Sequence, residues 1–498
     1  MNDEKDKYTK QEILKNKYWI IGWCALLMLI LGMVMWVKGH SISKVGPKDS
    51  ITISDPVENG SEDKENNSQE KYIKEEKALE VKATPVEVAN ISGIESDMLI
   101  SDYWINKLEE PHEVLLDSSQ ISRVNNGNIE KVDSVYNLYN YPQEIGKDSI
   151  VRWINEYKFP RDVMYSQHGI AIGSKDYEAM KNNLNISDVG DNTRVRYGVI
   201  ISRTSMKRFP SDTEGHKVQN DKFDRFQETA LDAGEKVIIL HISADNQWSF
   251  VQAYNYRGWV RNLDIAIDSE ENVNYFTNPS DFVVVLQDAI KLQFNDREYK
   301  YFMGTKLPIA YENEESMAVY VPIHDSEGKL IKATAEIPKN LEFSKGYLDY
   351  TRANFIKQAF KLLGTTYEWG DRNDGRDCSS TVASIYKTFG IYLPRNTDEQ
   401  EMGIGESISL KDMPTESKKN IISALESGDI IFMNGHVVMY LGKDNGEDYI
   451  IHNFSGIYTN GKYDSILRTA VTEADMMVNA KTSYLDLYTS VLKIDKLQ

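Results

Sequence analysis

The stretch GTTYEWGDRNDGRDCSSTVASIYKTFGIYLPRNTDEQ, Gly364 to Gln400, decides how the chain is read, because it carries a cysteine across a turn-to-helix junction. Turn formers crowd its first half, and after Cys378 the run SSTVASIYKTFG has the apolar spacing of a helix. Cys378 is therefore expected at a helix N-terminus, with Asp377 or Ser379 available as cap. Unpaired backbone N–H groups and the positive end of the helix dipole favour thiolate over thiol there, and the same N–H groups suit an oxyanion. The competing reading is a structural cysteine packed beneath a capped helix. The other cysteine, Cys24, lies in an apolar run near the N-terminus, so no intramolecular disulfide is expected.

A nucleophilic cysteine needs a base within reach, and two histidines follow it. His436 opens the strand-like run HVVMYLG, and His452 closes DYIIH. With Asp444, Asn445 and Gly446 as the turn, antiparallel strands bring the two imidazoles to nearby levels of a hairpin. His436 is expected to take the thiol proton, and His452 to orient and polarise it. The remaining histidines, at 40, 112, 168, 216, 241 and 324, show no metal-ligand spacing, so neither metal nor cofactor is expected.

Around this stretch the period of the sequence changes twice. Residues TRANFIKQAFKLLG before it form an apolar helical face ended by Gly364, and strand-like runs GDIIFMNG, HVVMYLGK, DYIIHNFSG and SYLDLYTSVLKI come after, an α+β order for residues 346–498. Upstream lie short β-branched and aromatic runs separated by turn residues, the pattern of two small β-barrels at 193–265 and 266–345. A mixed segment at 86–192 is expected to be an extension domain, in which Asp117, Ser118 or Ser119 caps a helix and DMLISDYWINKLEE forms another.

Nearer the start, Tyr18 to Val37 is an unbroken apolar run whose 20 residues, at about 1.5 Å each, span the roughly 30 Å of a bilayer core. Lysines in the 1–17 tail favour a cytoplasmic N-terminus, and the polar 38–85 segment reads as a disordered tether. The bulk of the chain is thus expected outside the cell, on a single-pass membrane anchor. A formal charge of −19 over 498 residues excludes a nucleic-acid partner of the usual basic kind.

Taken together, Tyr367, Trp369 and Gly370, then Asp377-Cys378-Ser379, Leu393-Pro394-Arg395, Gly428-Asp429 and His436-Val437 resemble the NlpC-type papain-like cell-wall cysteine peptidases. Two positions depart from that pattern, Asp371 and Ser380, each where the family usually has glycine. The resemblance implies a papain-like α+β domain with His452 as the polar third catalytic residue. It also implies that Tyr367 lines the oxyanion region, and that Tyr367, Trp369, Asp377 and Ser379 contact substrate, Asp377 through the substrate's free amine. The upstream region is similar to relatives with an N-terminal extension and two bacterial SH3-like domains, on Arg208, Phe209, Pro210, Trp248, Gly258 and Trp259. In such enzymes the SH3-like domain narrows the cleft, which implies a preference for stem peptides with a free N-terminal L-Ala. The expected function is a membrane-anchored, extracytoplasmic endopeptidase that cuts peptidoglycan stem peptides between γ-D-glutamyl and a diamino acid. The alternatives are an amidase or transpeptidase on the same fold, and a non-catalytic wall-binding scaffold.

Overall fold

A computed structural model describes residues 91–294, 297–314, 316–338 and 341–497. The expected tail, anchor and tether, with Cys24 and the first residues of the extension, lie outside the described residues. Among the described residues no helix is long and apolar enough to cross a membrane.

The C-terminal part is built on a six-stranded antiparallel sheet in the order 406–409, 488–493, 430–433, 436–444, 447–459, 462–473. Every position of strand Ile430–Met433 is buried, because both faces of the sheet are covered. Helices Arg352–Lys361 and Cys378–Lys387 pack on one face through Phe355, Ile356, Val382, Ile385, Tyr386 and Phe389. Burying each of these large side chains contributes about 1.5–3 kcal/mol before the entropy cost. The opposite face closes over Ile422, Leu425, Tyr484 and Tyr488.

Upstream, seven antiparallel strands between Arg196 and Asp268 form the first barrel, in the order 227–231, 204–207, 257–261, 248–252, 236–242, 196–200, 265–268. Trp248 and Trp259 are both core residues of this unit, buried beside Phe250. A helix, Glu270–Thr277, leads to a five-stranded sheet in the order 330–338, 316–324, 306–312, 282–285, 343–345, accompanied by the hairpin 289–294 and 297–302. The two units share apolar core: Val199 and Ala266 of the first cluster with Val283, Tyr301 and Val319 of the second.

The extension is a strap across both parts. Asp117 caps helix Ser118–Lys131 in a reciprocal box with Gln120, as the sequence suggests. Asn125 and Asn128 of that helix bond the 390–404 backbone. The expected helix over DMLISDYWINKLEE is instead two short pieces, Ser96–Leu99 and Ser101–Ile105. Ile100 is extended between them, and the break turns Trp104 into the core of the C-terminal part, where its Nε1 bonds the Met98 carbonyl at 2.8 Å.

Candidate active site

The cysteine helix starts where it does because Asp377 is extended and caps it. Its Oδ1 accepts from the Ser380 backbone N–H at 3.0 Å, and Ser380 Oγ returns a bond from the Asp377 N–H at 3.0 Å. Cys378 is the first helical residue and only 7% exposed. The Val437 backbone N–H is a hydrogen-bond donor for its sulfur, and Thr397 Oγ1 lies 3.9 Å from it.

The expected thiolate is not what this setting favours. Burial pushes the Cys378 thiol up to about 12, and the Asp377 carboxylate next to it acts in the same direction, outweighing the donors from Val437 and Thr397. At neutral pH the Cys378 side chain is therefore a thiol.

The histidines meet through an irregularity in their hairpin. Asn445 and Gly446 both have positive φ, the signature of a tight two-residue turn that pairs Asp444 with Glu447. Continued without a break, that pairing would set Ser455 opposite His436, an odd number of residues from His452 and therefore on the other face. Leu441 is an extra residue that shifts the register, so Met439 pairs with Ile451 and His436 falls level with Phe454, on the face of His452. Gly442 follows the bulge, and a Cβ there would sit 3.2 Å from the Trp104 ring.

His436 Nε2 lies 3.0 Å from His452 Nδ1, and His452 Nε2 lies 3.1 Å from Thr472 Oγ1. Assigned from this network, the run His436 Nε2–H to His452 Nδ1 and His452 Nε2–H to Thr472 leaves His436 Nδ1 with a free lone pair. His436 is also the residue just before Val437, whose N–H reaches the sulfur. Burial lowers His436 to about 4 and holds His452 well below the usual imidazole range, assisted by His436. Both rings are neutral bases at pH 7. Phe454 stacks on His452 with ring centroids 4.1 Å apart, and Tyr484 packs against both imidazoles at 5.7 and 5.6 Å.

Behind the helix start lies a different arrangement. Arg395 Nη2 bonds Asp377 Oδ2 at 2.7 Å and Asp371 Oδ2 at 3.1 Å, and Nη1 bonds Asp377 Oδ1 at 3.1 Å and Ser379 Oγ at 2.9 Å. Gly370 N–H adds a donor to Asp377 Oδ2 at 3.3 Å. Although burial opposes it, the Arg395 guanidinium holds the Asp377 carboxyl below its ordinary range, whereas burial pushes Asp371 up. Asp377 and Ser379, read as substrate contacts, thus spend their polar atoms on protein partners. Asp371 and Ser380, the two departures from the family pattern, are hydrogen-bonded to each other, and Asp371 has a positive φ of 60° that glycine adopts freely.

The first barrel grips the loop that delivers Cys378. Gln227 Nε2 bonds the Gly370 carbonyl at 2.9 Å, Arg203 Nη2 bonds the Gly375 carbonyl at 2.9 Å, and Arg395 Nε donates to Thr229 Oγ1 at 2.6 Å. Phe223 of the barrel meets Tyr367 edge-on at 6.1 Å and Trp369 at 6.4 Å. Phe223 thus flanks both Tyr367 and Trp369, and Trp369 is 41% exposed. Burial raises the Tyr367 hydroxyl, with Cys378 as the second cause, so the phenol stays protonated at neutral pH. Sequence reading missed Thr397, Val437 N–H, Thr472, Tyr484 and Phe223. Only the position of Val437 beside His436 carried a signal. Among the described residues no group of His, Cys, Asp and Glu is placed to hold a metal.

Residues 364–476 match the NlpC/P60 family, and residues 213–261 match the SH3 domain of SH3b1 type. Dipeptidyl-peptidase 6 of Lysinibacillus sphaericus is 24% identical over 207 residues, 40% of this chain and 71% of that protein. A γ-D-glutamyl-L-lysine dipeptidyl-peptidase of Bacillus cereus is 24% identical over 209 residues, 38% of this chain and 55% of that protein. A bifunctional muramidase/DL-endopeptidase of Bacillus subtilis is 32% identical over 114 residues, 21% of this chain and 30% of that protein. In fold, an NlpC/P60 endopeptidase from Photobacterium damselae subsp. piscicida superimposes with a TM-score of 0.64 at 17% identity, covering 78% of this chain and 95% of its own.

Proposed function

Given a C-terminal NlpC/P60 domain with an SH3 domain of SH3b1 type upstream, we propose that the chain is a cysteine endopeptidase of cell-wall stem peptides, cutting between γ-D-glutamyl and a diamino acid. The observation that carries this reading is the His436–His452–Thr472 chain, which leaves one imidazole nitrogen free as a base for Cys378. The relatives' printed names, a γ-D-glutamyl-L-lysine dipeptidyl-peptidase and a DL-endopeptidase, favour the same bond class.

In this mechanism His436 Nδ1 takes the thiol proton as Cys378 Sγ bonds to the γ-carbonyl carbon. Backbone N–H groups at the helix start and the Tyr367 hydroxyl donate to the developing oxyanion. The C–N bond then breaks, and the leaving amine takes the proton from His436. Water attacks the thioester, giving one proton to His436, which returns it to the sulfur as the acid departs. His452 shares the imidazolium charge and keeps donating its Nε2–H as a hydrogen bond to Thr472 Oγ1. The second β unit, residues 266–345, is read as a further SH3-like module, and the apolar run 18–37 as the anchor that keeps the catalytic part facing the wall.

The test incubates the detergent-solubilised full chain, and its Cys378→Ala variant, with purified stem peptides, with products identified by mass spectrometry. A new free diamino-acid N-terminus from wild type alone is expected; equal product from both proteins sinks the nucleophile. For the anchor, wild type is expected in the carbonate-resistant membrane fraction, and removal of residues 18–37 is expected to release it.

A further inference from the structure

One basic group beside the loop that delivers Cys378 has no acid partner. Arg225 lies in the barrel loop beside Phe223, and the loop is fixed by Asp224, whose Oδ1 accepts from Gly215 and Phe226 N–H groups, both at 2.8 Å. Its guanidinium lies 4.9 Å from the centroid of Trp369 and 5.4 Å from that of Phe223, a cation laid over two rings. Among the described residues it makes no ion pair and no side-chain hydrogen bond, and its Nε is buried without an acceptor.

The acids around it are already committed. Asp224 holds Lys207 at 2.5 Å, Glu214 holds Arg372 at 2.8 Å and His216 at 2.9 Å, and Glu228 holds Arg208 at 2.5 Å. Five N–H donors in a planar fork, flattened on an indole, present the geometry that takes a carboxylate by two parallel hydrogen bonds. The position follows from the loop that delivers Cys378: Tyr367 pairs with Arg376, two residues before Cys378, Tyr367 meets Phe223, and Phe223 lies under Arg225.

We propose that Arg225 is a specificity residue that binds a free carboxylate on the acyl side of the scissile bond. The inference rests on the stem-peptide reading above. In a γ-linked glutamyl residue the α-carboxyl group is free and lies on the acyl side, a few bonds from the carbonyl under attack. A peptide in which that group is an amide offers the guanidinium one neutral oxygen and a clashing N–H donor. The enzyme therefore distinguishes glutamyl from isoglutaminyl stems.

Binding to the full-length Cys378→Ala protein tests this without turnover, by calorimetry with two stem peptides that differ only in α-carboxylate or α-carboxamide. The carboxylate peptide is expected to bind about 10- to 100-fold more tightly, the range of a charge-assisted pair. Adding Arg225→Gln is expected to collapse that preference to within about twofold, and Arg225→Lys to keep an intermediate part of it. Equal affinities in Cys378→Ala, or a preference that survives Arg225→Gln, overturn the assignment even if both peptides are cut by wild type. Discrimination in binding with no cleavage by wild type supports Arg225 while refuting the proposed reaction.

Discussion

The two sides of the Cys378 helix start are equally buried and electrically opposite. Behind it, Asp371, Asp377 and Arg395 form an ionic cluster in which Arg395 and the Ser380, Ser379 and Gly370 donors fill the Asp377 oxygens. In front, Cys378, His436 and His452 have no counter-ion, and burial pushes the thiol up to about 12 and the His436 imidazole down to about 4. Burial alone does not decide whether a group is charged; the supply of partners does. The rear charges hold the helix start, while the front is neutral at rest, and in the proposed mechanism it becomes charged only as the proton crosses from sulfur to imidazole.

The comparison breaks first at the front. Cys378→Ala and His436→Ala are each expected to lower kcat/KM by about 10⁴-fold or more, with urea-unfolding stability within about 1 kcal/mol of wild type. A variant that loses stability instead would move that residue into the structural class. At the back the expectation reverses: Arg395→Met leaves two buried carboxylates facing each other and is expected to cost about 3–5 kcal/mol in urea unfolding. A cost under about 1 kcal/mol would show that the rear cluster does not hold the fold.

His452→Ala is expected to reduce kcat by about 10²-fold, with a smaller loss for His452→Asn, which keeps a polar partner for His436. Thr472→Val removes only the last link and is expected to cost about 1 kcal/mol, a few-fold in kcat. The pH profile sharpens the front alone. His436 must be unprotonated to accept the proton, so the acid limb of kcat/KM is expected near its lowered value of about 4, not near 6.5. Its stabilising contribution has the matching sign: present above the unfolded value of 6.5 and lost as pH falls from there through about 4, because the unfolded chain binds the proton first. An acid limb at 6.5 would mean that the imidazole is hydrated in the free enzyme.

Much of this was legible in the sequence. The capped helix at Cys378, the helix over 352–361 and the strands carrying both histidines follow from periodicity and turn residues. Strand Lys462–Glu473, which supplies Thr472, did not, because it is an edge strand whose first half carries Lys462, Asp464 and Ser465 rather than an apolar run. Nor did the bulge at Leu441, since a hairpin counted from its turn gives the wrong face for one imidazole and no residue type announces the insertion. Arg395 was visible only as part of a motif. Its role as counter-ion depends on Asp371 and Thr229 arriving from separate segments, which spacing cannot reveal.

The loop ahead of Cys378 holds Gly370, Asp371, Asn373 and Asp374 all at positive φ, and for the three residues with side chains that conformation carries a cost of order 1 kcal/mol each. Its carbonyls are held by Gln227 and Arg203 of the first barrel. The barrel is therefore a mould in which the proteolytic centre is cast. Since it precedes the loop along the chain, it leaves the ribosome first, and the thiol acquires its working surroundings only on a chain that is already whole behind it. A C-terminal part freed from its barrel would lose the Gln227 and Arg203 bonds that offset this backbone cost.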